Sequence, residues 1–163
     1  MALLKPKGAR FGHPCVALHT LAMQKIPMSV LQTQLHITKR LSLIEDNQER
    51  LAAVVDRVRK LPPLNESERV ESNRIQGCVS RVWIVAAMEN ERCRFRSDAD
   101  STLVRGLASL ICEVYDDSTP EEIMTQEANI LDVLHLTDHL SPTRRHGLDQ
   151  VHRAIRDFAA RAL

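Results

Sequence analysis

Between residues 79 and 97 the hydrophobic period of the chain changes from that of a helix to two, and this change constrains the fold more than any other feature of the sequence. Val79, Trp83 and Val85 lie to one side with Arg81, while Ser80, Val82 and Ile84 lie to the other, the pattern of a strand with a buried face. MENE, residues 88–91, reads as a turn. ERCRFRS then sets Cys93 and Phe95 on one face and Arg92, Arg94 and Arg96 on the other, so the two runs pair as a hairpin. A hairpin cannot bury its apolar face alone, so it requires partners from the rest of the chain.

Those partners are helical. Val30, Leu31, Leu35 and Leu41 give a loose helical stripe, and Leu51, Val54, Val55 and Val58 repeat at i, i+3, i+4, i+7 until Pro62 and Pro63 stop the helix. The polar run NESERVESN, residues 65–73, is a connection expected to contain a short edge strand. After the hairpin, Asp98 or Asp100 caps a helix carrying Leu103, Leu107, Leu110, Ile111 and Val114. TPEE, residues 119–122, is a capping box with proline at the first helical position, so a short helix covers 120–127, and another is expected over 130–134. Ser141-Pro142 repeats the cap and opens a last helix with Leu148, Val151, Ile155, Phe158 and Ala162 on one stripe. The expected class is α+β: a small three-stranded antiparallel sheet with N-terminal and C-terminal helices packed on one face.

A chain of 163 residues that is 44% hydrophobic and 26% charged holds one core, so residues 28–163 are read as a single domain. Net charge +1 and 3% aromatic content argue against nucleic acid as partner. No acidic residue precedes Glu45, whereas Lys5, Lys7, Arg10, Lys25, Lys39 and Arg40 are basic. The run VALHTLAM is too short and interrupted for a secretory core or a membrane span. Residues 1–27 are read as a disordered or non-native extension, with organelle import left open. Cys15, Cys78, Cys93 and Cys112 show no zinc-type spacing, which fits reduced thiols in the cytoplasm.

Of these cysteines, Cys78 stands apart. It follows Gly77 where a loop gives way to the strand, and a glycine there lets the backbone turn and present a thiol at a loop tip. A free thiol has a pKa of about 8.5, so a reactive one needs help, and a cation such as Arg144 or Arg145 could supply it. Cys93 and Cys112 fall on expected core faces. Pattern alone leaves Cys78 divided between a reactive and a structural role.

Three blocks carry a resemblance. LPPL, residues 61–64, is followed by NRIQGCVSRVWI, residues 73–84, which resembles N-x-V/I-x-G-C-x-S-x-V-W. DADSTLVRGLASLI, residues 98–111, resembles D-S-D-A-x-I-V-x-G-L, followed by Tyr115 and TPEEI. LTDHLSPTRRHGLDQV, residues 136–151, resembles L-x-x-x-L-[ST]-P-[ST]-R-x-x-G-L. These motifs, in this order over residues 48–160, are similar to those of the SufE family, sulfur-acceptor proteins of iron-sulfur cluster assembly.

The resemblance implies a SufE/IscU-like fold and a stoichiometric carrier rather than an enzyme. Cys78 would be the persulfide-forming acceptor, served by a SufS- or CsdA-like cysteine desulfurase and passing sulfur to a downstream iron-sulfur scaffold. No cofactor is expected in the chain itself, pyridoxal phosphate belonging to the desulfurase. Arg144 would stabilise the Cys78 thiolate or persulfide, or else position the last helix. Gly77, Ser80, Asp98 and Asp100 would support the site, Gly106 and Gly147 would permit close packing, Arg81 would form partner surface, and Trp83 would be core or partner surface. Val79 and Arg81 depart from the polar residues common in the family.

Two other chemistries use the same residues. A cluster scaffold would need three cysteines, or cysteines with histidine, converging on metal. A cysteine hydrolase would pair Cys78 with His139 or His146 and an acid, although such thiols usually gain from a helix N-terminus and here a strand follows. Neither a phosphate-cradling glycine loop nor a lysine suited to pyridoxal phosphate is evident.

Overall fold

The structure, a computed structural model, describes residues 28–138 and 140–163. The expected extension, residues 1–27, and His139 lie outside the described residues. The chain forms α1 (Val30–Leu41), α2 (Asn47–Arg59), a 3-10 turn (Glu71–Asn73), β1 (Val82–Glu89), β2 (Arg92–Ala99), α3 (Thr102–Tyr115), α4 (Pro120–Thr125), α5 (Ile130–Val133) and α6 (Pro142–Ala162). The α+β class holds, with helices and one antiparallel hairpin. Among the described residues no helix is long and apolar enough to cross a membrane.

Local chemistry explains the ends of most elements. Ser29 and Gln32 form a capping box on α1, Asp46 caps α2 through the Gln48 and Glu49 amides, and Thr119 with Glu122 forms the expected box on α4. Ser141 caps α6 with Pro142 in its first turn. The hairpin closes through Asn90 and Glu91 at φ 50° and 62°, the left-handed pair of a two-residue turn whose twist matches that of the strands. Register follows, with Glu89 opposite Arg92, Trp83 opposite Asp98 and Val82 opposite Ala99.

Period two then sorts the hairpin's side chains. Val82, Ile84, Cys93 and Phe95 enter the core with Leu107 and Ile111 of α3 and Val151 and Ile155 of α6. Phe95 meets Phe158 edge to face, ring centroids 5.7 Å apart. The opposite face carries the arginine row, and it is closed on the protein's own acids: Arg92 with Asp117 and Glu122, Arg94 with Asp116 and Asp117, and Arg96 with Glu68.

Several expectations are corrected. Among the described residues the sheet has two strands, not three. Residues 71–73 turn as a 3-10 helix, the Asn73 side chain donates to the Glu68 carbonyl, and the chain turns again at Gly77. Too few extended residues remain for a ladder, so a single bridge joins Arg74 to Trp83, with Ile75 N donating to Val82 O at 2.8 Å. The first strand begins at Val82 rather than Val79, which is 76% exposed. On α1, Leu31 and Leu35 are 49% and 54% exposed, because the buried side is that of Val30 and Ile37, seven residues apart.

The cap of α3 is Ser101, whose Oγ accepts from Val104 N, and neither Asp98 nor Asp100 takes that role. Asp98 is 1% exposed. It accepts from Leu64 N at 2.9 Å and from Arg69 Nη2 at 2.6 Å, and its other oxygen lies 3.1 Å from Arg105 Nε. Asp100 is at the surface, 2.6 Å from Arg81 Nε.

Removing one partner from a buried, multiply bonded ion pair leaves the other charges uncompensated, so Asp98→Ala should lose about 3 kcal/mol of unfolding free energy. Asp100→Ala, which breaks an exposed pair, should lose less than about 1 kcal/mol. Urea denaturation of both variants measures the contrast, and equal losses would show that Asp98 does not organise the hairpin end.

Candidate functional site

Gly77 has φ +80°, a left-handed conformation that a side chain would strain, and it turns the loop so that Cys78 faces the first half of α6. The Cys78 Sγ donates to the carbonyl of Gly147 at 3.3 Å. That approach depends on the glycine: a β-carbon on Gly147 would stand 2.9 Å from the sulfur. Two glycines far apart in sequence therefore build one seat, one turning the loop and the other leaving room for the thiol. His146, adjacent to Gly147, brings Nε2 to 3.7 Å from where a β-carbon of Gly77 would lie, and Gln150 Nε2 stands 3.4 Å from the same ring nitrogen.

Cys78 is half-buried, and burial pushes its thiol above the ordinary range. The thiol rests protonated at neutral pH, its hydrogen held by a neutral carbonyl. Arg144, expected as the stabilising cation, lies three residues before Gly147 on α6, exposed. Its amide receives the Ser141 cap, and its guanidinium makes no hydrogen bond or ion pair among the described residues. Arg145 turns instead to the carbonyls of Leu140 and Asp138. Among the described residues no cation offsets the burial of Cys78.

The other expected site residues fall into two groups. Ser80 is half-buried beside the thiol loop, and its hydroxyl makes no hydrogen bond among the described residues. Exposed Val79 forms an apolar lip next to Cys78. Trp83 is not open partner surface: it is 6% exposed, with the guanidinium carbons of Arg69 and Arg81 at 5.8 and 5.7 Å from its ring centroid. Arg81 does reach the surface, tied to Asp100. Arg69, not singled out by sequence, links this stack to Asp98; a lone cation in the acidic run 65–73 was the available signal.

Cys93 and Cys112 are buried in the core as expected, and burial pushes the Cys112 thiol up to about 12. Among the described residues no three histidine, cysteine, aspartate or glutamate side chains are grouped to hold a metal ion.

Residues 35–159 match the protein-family model described as SufE, Fe-S metabolism associated domain. The chain belongs to the SufE family. It also aligns with the solution structure of a hypothetical protein from Thermus thermophilus, with TM-score 0.65 at 17% identity, covering 80% of this chain and 95% of that one. That likeness establishes a shared fold. Within this SufE domain, the family assignment places the chain in iron-sulfur metabolism, and the contact of Cys78 with Gly147 joins the first and third sequence blocks in one site.

Two outcomes test this geometry. Because burial raises the Cys78 pKa, the rate of its alkylation by iodoacetamide should rise with pH to a midpoint above the ordinary thiol value of about 8.5; a midpoint below that would contradict a neutral, buried resting thiol. Gly147→Ala should push the sulfur out of its seat and speed Cys78 alkylation at pH 8 severalfold, with circular dichroism unchanged. An unaltered rate would mean that the thiol does not rest against Gly147.

Proposed function

We propose that this chain is a sulfur acceptor and desulfurase activator: Cys78 takes persulfide sulfur from a pyridoxal-phosphate-dependent, SufS- or CsdA-like cysteine desulfurase and passes it on for iron-sulfur cluster assembly. The observation that carries this reading is the seat of Cys78. It is the one half-buried thiol among the described cysteines, set on a glycine-turned loop at the surface, whereas Cys93 and Cys112 are enclosed by core. A thiol that must meet a second protein's persulfide has to reach the surface.

The chemistry needs no oxidant. The Cys78 sulfur attacks the outer sulfur of the donor persulfide, one S–S bond forms as another breaks, and the donor leaves as a thiolate that takes a proton. Removing that persulfide frees the desulfurase for another turnover, so the carrier activates it stoichiometrically and needs no cofactor of its own. The neutral, carbonyl-bonded resting thiol suits such a carrier, because protonation slows adventitious oxidation until docking displaces the sulfur. Exposed Val79 and Arg81 flank the loop and are suited to contact the desulfurase. A cytoplasmic setting, with neither nucleic acid nor membrane as partner, completes the proposal.

A hydrolase would also use Cys78 and His146, but hydrolytic thiols have lowered pKa values, and burial moves this one the other way. A cluster scaffold would need converging ligands, whereas Cys93 and Cys112 are enclosed in the core.

The test is to mix the chain with a cysteine desulfurase and L-cysteine, without reductant, and map added sulfur by mass spectrometry. One added sulfur atom on Cys78, absent without desulfurase and in Cys78→Ser, is the expected result. Folded Cys93→Ala and Cys112→Ala should still take up sulfur. No uptake with several desulfurases of this class, or a complete loss in folded Cys93→Ala, would overturn the proposal.

A further inference from the structure

The resting thiol poses a chemical problem. Its hydrogen is directed at the Gly147 carbonyl, which can accept a hydrogen bond but cannot carry away a proton, and burial disfavours the thiolate. Sulfur transfer, the reading on which this inference rests, needs the thiolate and therefore a group to take that proton.

Among the described residues the neighbourhood supplies one candidate. The loop and α6 meet as two adjacent residues against two adjacent residues, Gly77 beside His146 and Cys78 beside Gly147. His146 Nε2 lies 3.7 Å from where a β-carbon of Gly77 would stand, an ordinary contact distance, so the imidazole is close to the residue directly preceding the thiol. The facing atom is Nε2, and its state can be read from Gln150. Gln150 Nε2 stands 3.4 Å from it, and because an amide nitrogen only donates, the two hydrogen-bond in the tautomer whose ring proton is on Nδ1, Gln150 giving up the Nε2 lone pair when the thiol proton arrives. Gln150, one turn further along α6, also steadies the ring.

The charged groups near His146 on α6 are Arg144, Arg145 and Asp149. Arg145 is turned to the Leu140 and Asp138 carbonyls, and the Arg144 guanidinium has no partner among the described residues. Cys78 is the ionisable residue of the loop next to Gly77, the residue that His146 Nε2 approaches. Imidazole is also the side chain best matched to accept a proton near neutral pH and return it.

We propose that His146 is the proton acceptor for Cys78. As the sulfur swings from the Gly147 carbonyl toward the incoming persulfide, its proton passes to His146 Nε2. The Cys78 thiolate then attacks the outer, protonated sulfur of the donor. The Cys78 S–S bond forms, the donor S–S bond breaks, and the departing donor thiolate takes the proton back from the imidazolium. Protons and electrons balance, and Cys78-SH with R-S-SH becomes Cys78-S-SH with R-SH.

The experiment uses His146→Gln, which keeps a polar side chain of similar reach at an exposed position but cannot hold the proton. Single-turnover sulfur transfer from a persulfide-loaded desulfurase is followed at pH 7 and pH 9.5, and Cys78 alkylation by iodoacetamide is followed in the free chain at the same two values. At pH 7 both rates should fall roughly 10- to 100-fold, and at pH 9.5 most of the loss should disappear as hydroxide takes over the proton. Free imidazole should restore part of the pH 7 rate in His146→Ala, which a purely structural role would not allow. Rates equal to the unaltered chain at pH 7, or the same loss at both pH values, would overturn the assignment. If the unaltered chain takes up no sulfur, the sulfur-acceptor reading falls by itself. Alkylation then still decides: His146-dependent slowing confined to pH 7 upholds the proton acceptor, and its absence removes it.

Discussion

A carboxylate removed from water must be matched by donors, and Asp98 shows how one such group can organise a small domain. Its two oxygens hold Arg69, Arg105 and the Leu64 amide, so the connection after α2, the end of β2 and the first turn of α3 converge on one residue. Arg69 in turn lies over Trp83, which faces Asp98 across the ladder, and Arg81 also lies over the ring while holding Asp100. The start of β1 is therefore clamped by two arginines at one ring. Cys78 lies four residues before that strand, so the clamp sets where the thiol loop begins, and Gly77 sets which way it turns.

A buried cation, Arg50, does similar work without any acid. The Arg50 guanidinium reaches the carbonyls of Leu41, Ile44 and Leu134, closing the end of α1 against the segment after α5. Carbonyl groups left open at a helix end attract positive charge, and a guanidinium offers enough donors to satisfy several at once. Together the Asp98 and Arg50 networks brace the framework on which α6, the helix that receives the thiol, packs. The site itself is lightly built, with one sulfur, one carbonyl and one imidazole at a glycine-lined contact. A rigid frame around a small movable element is what a carrier that must surrender its sulfur to a second protein requires.

Much of this was legible from local pattern. The hairpin, the capping box of α4 and the Ser-Pro start of α6 depend on residues within four positions of one another; both caps occur where the sequence places them, and the hairpin forms with its turn narrowed from residues 88–91 to Asn90 and Glu91 and its first strand begun at Val82. The misreadings share a cause. Val79 fits the alternation of the strand but is drawn away by the turn at Gly77. Leu31 and Leu35 fit a helical stripe, yet which side of α1 is covered depends on what packs there. Asp98 sits at a plausible cap position but is claimed by Arg69, 29 residues earlier. Trp83, for which the sequence leaves core and partner surface both open, is covered by two arginines of its own chain.

Cys78 follows the same division. The sequence by itself determined that a thiol stands after a glycine at a loop-to-strand boundary, within motifs of the SufE family, and that helices must cover one face of a hairpin. Those properties follow from backbone conformational preference and side-chain periodicity, which act over a few residues. Only the tertiary structure decided that Gly147 would receive the sulfur, that His146 would lie beside Gly77, and that burial rather than a nearby cation would govern the thiol's proton. Such outcomes depend on desolvation and on contacts between residues about 70 positions apart, and no local pattern encodes the distance between two surfaces that meet only when the chain has folded.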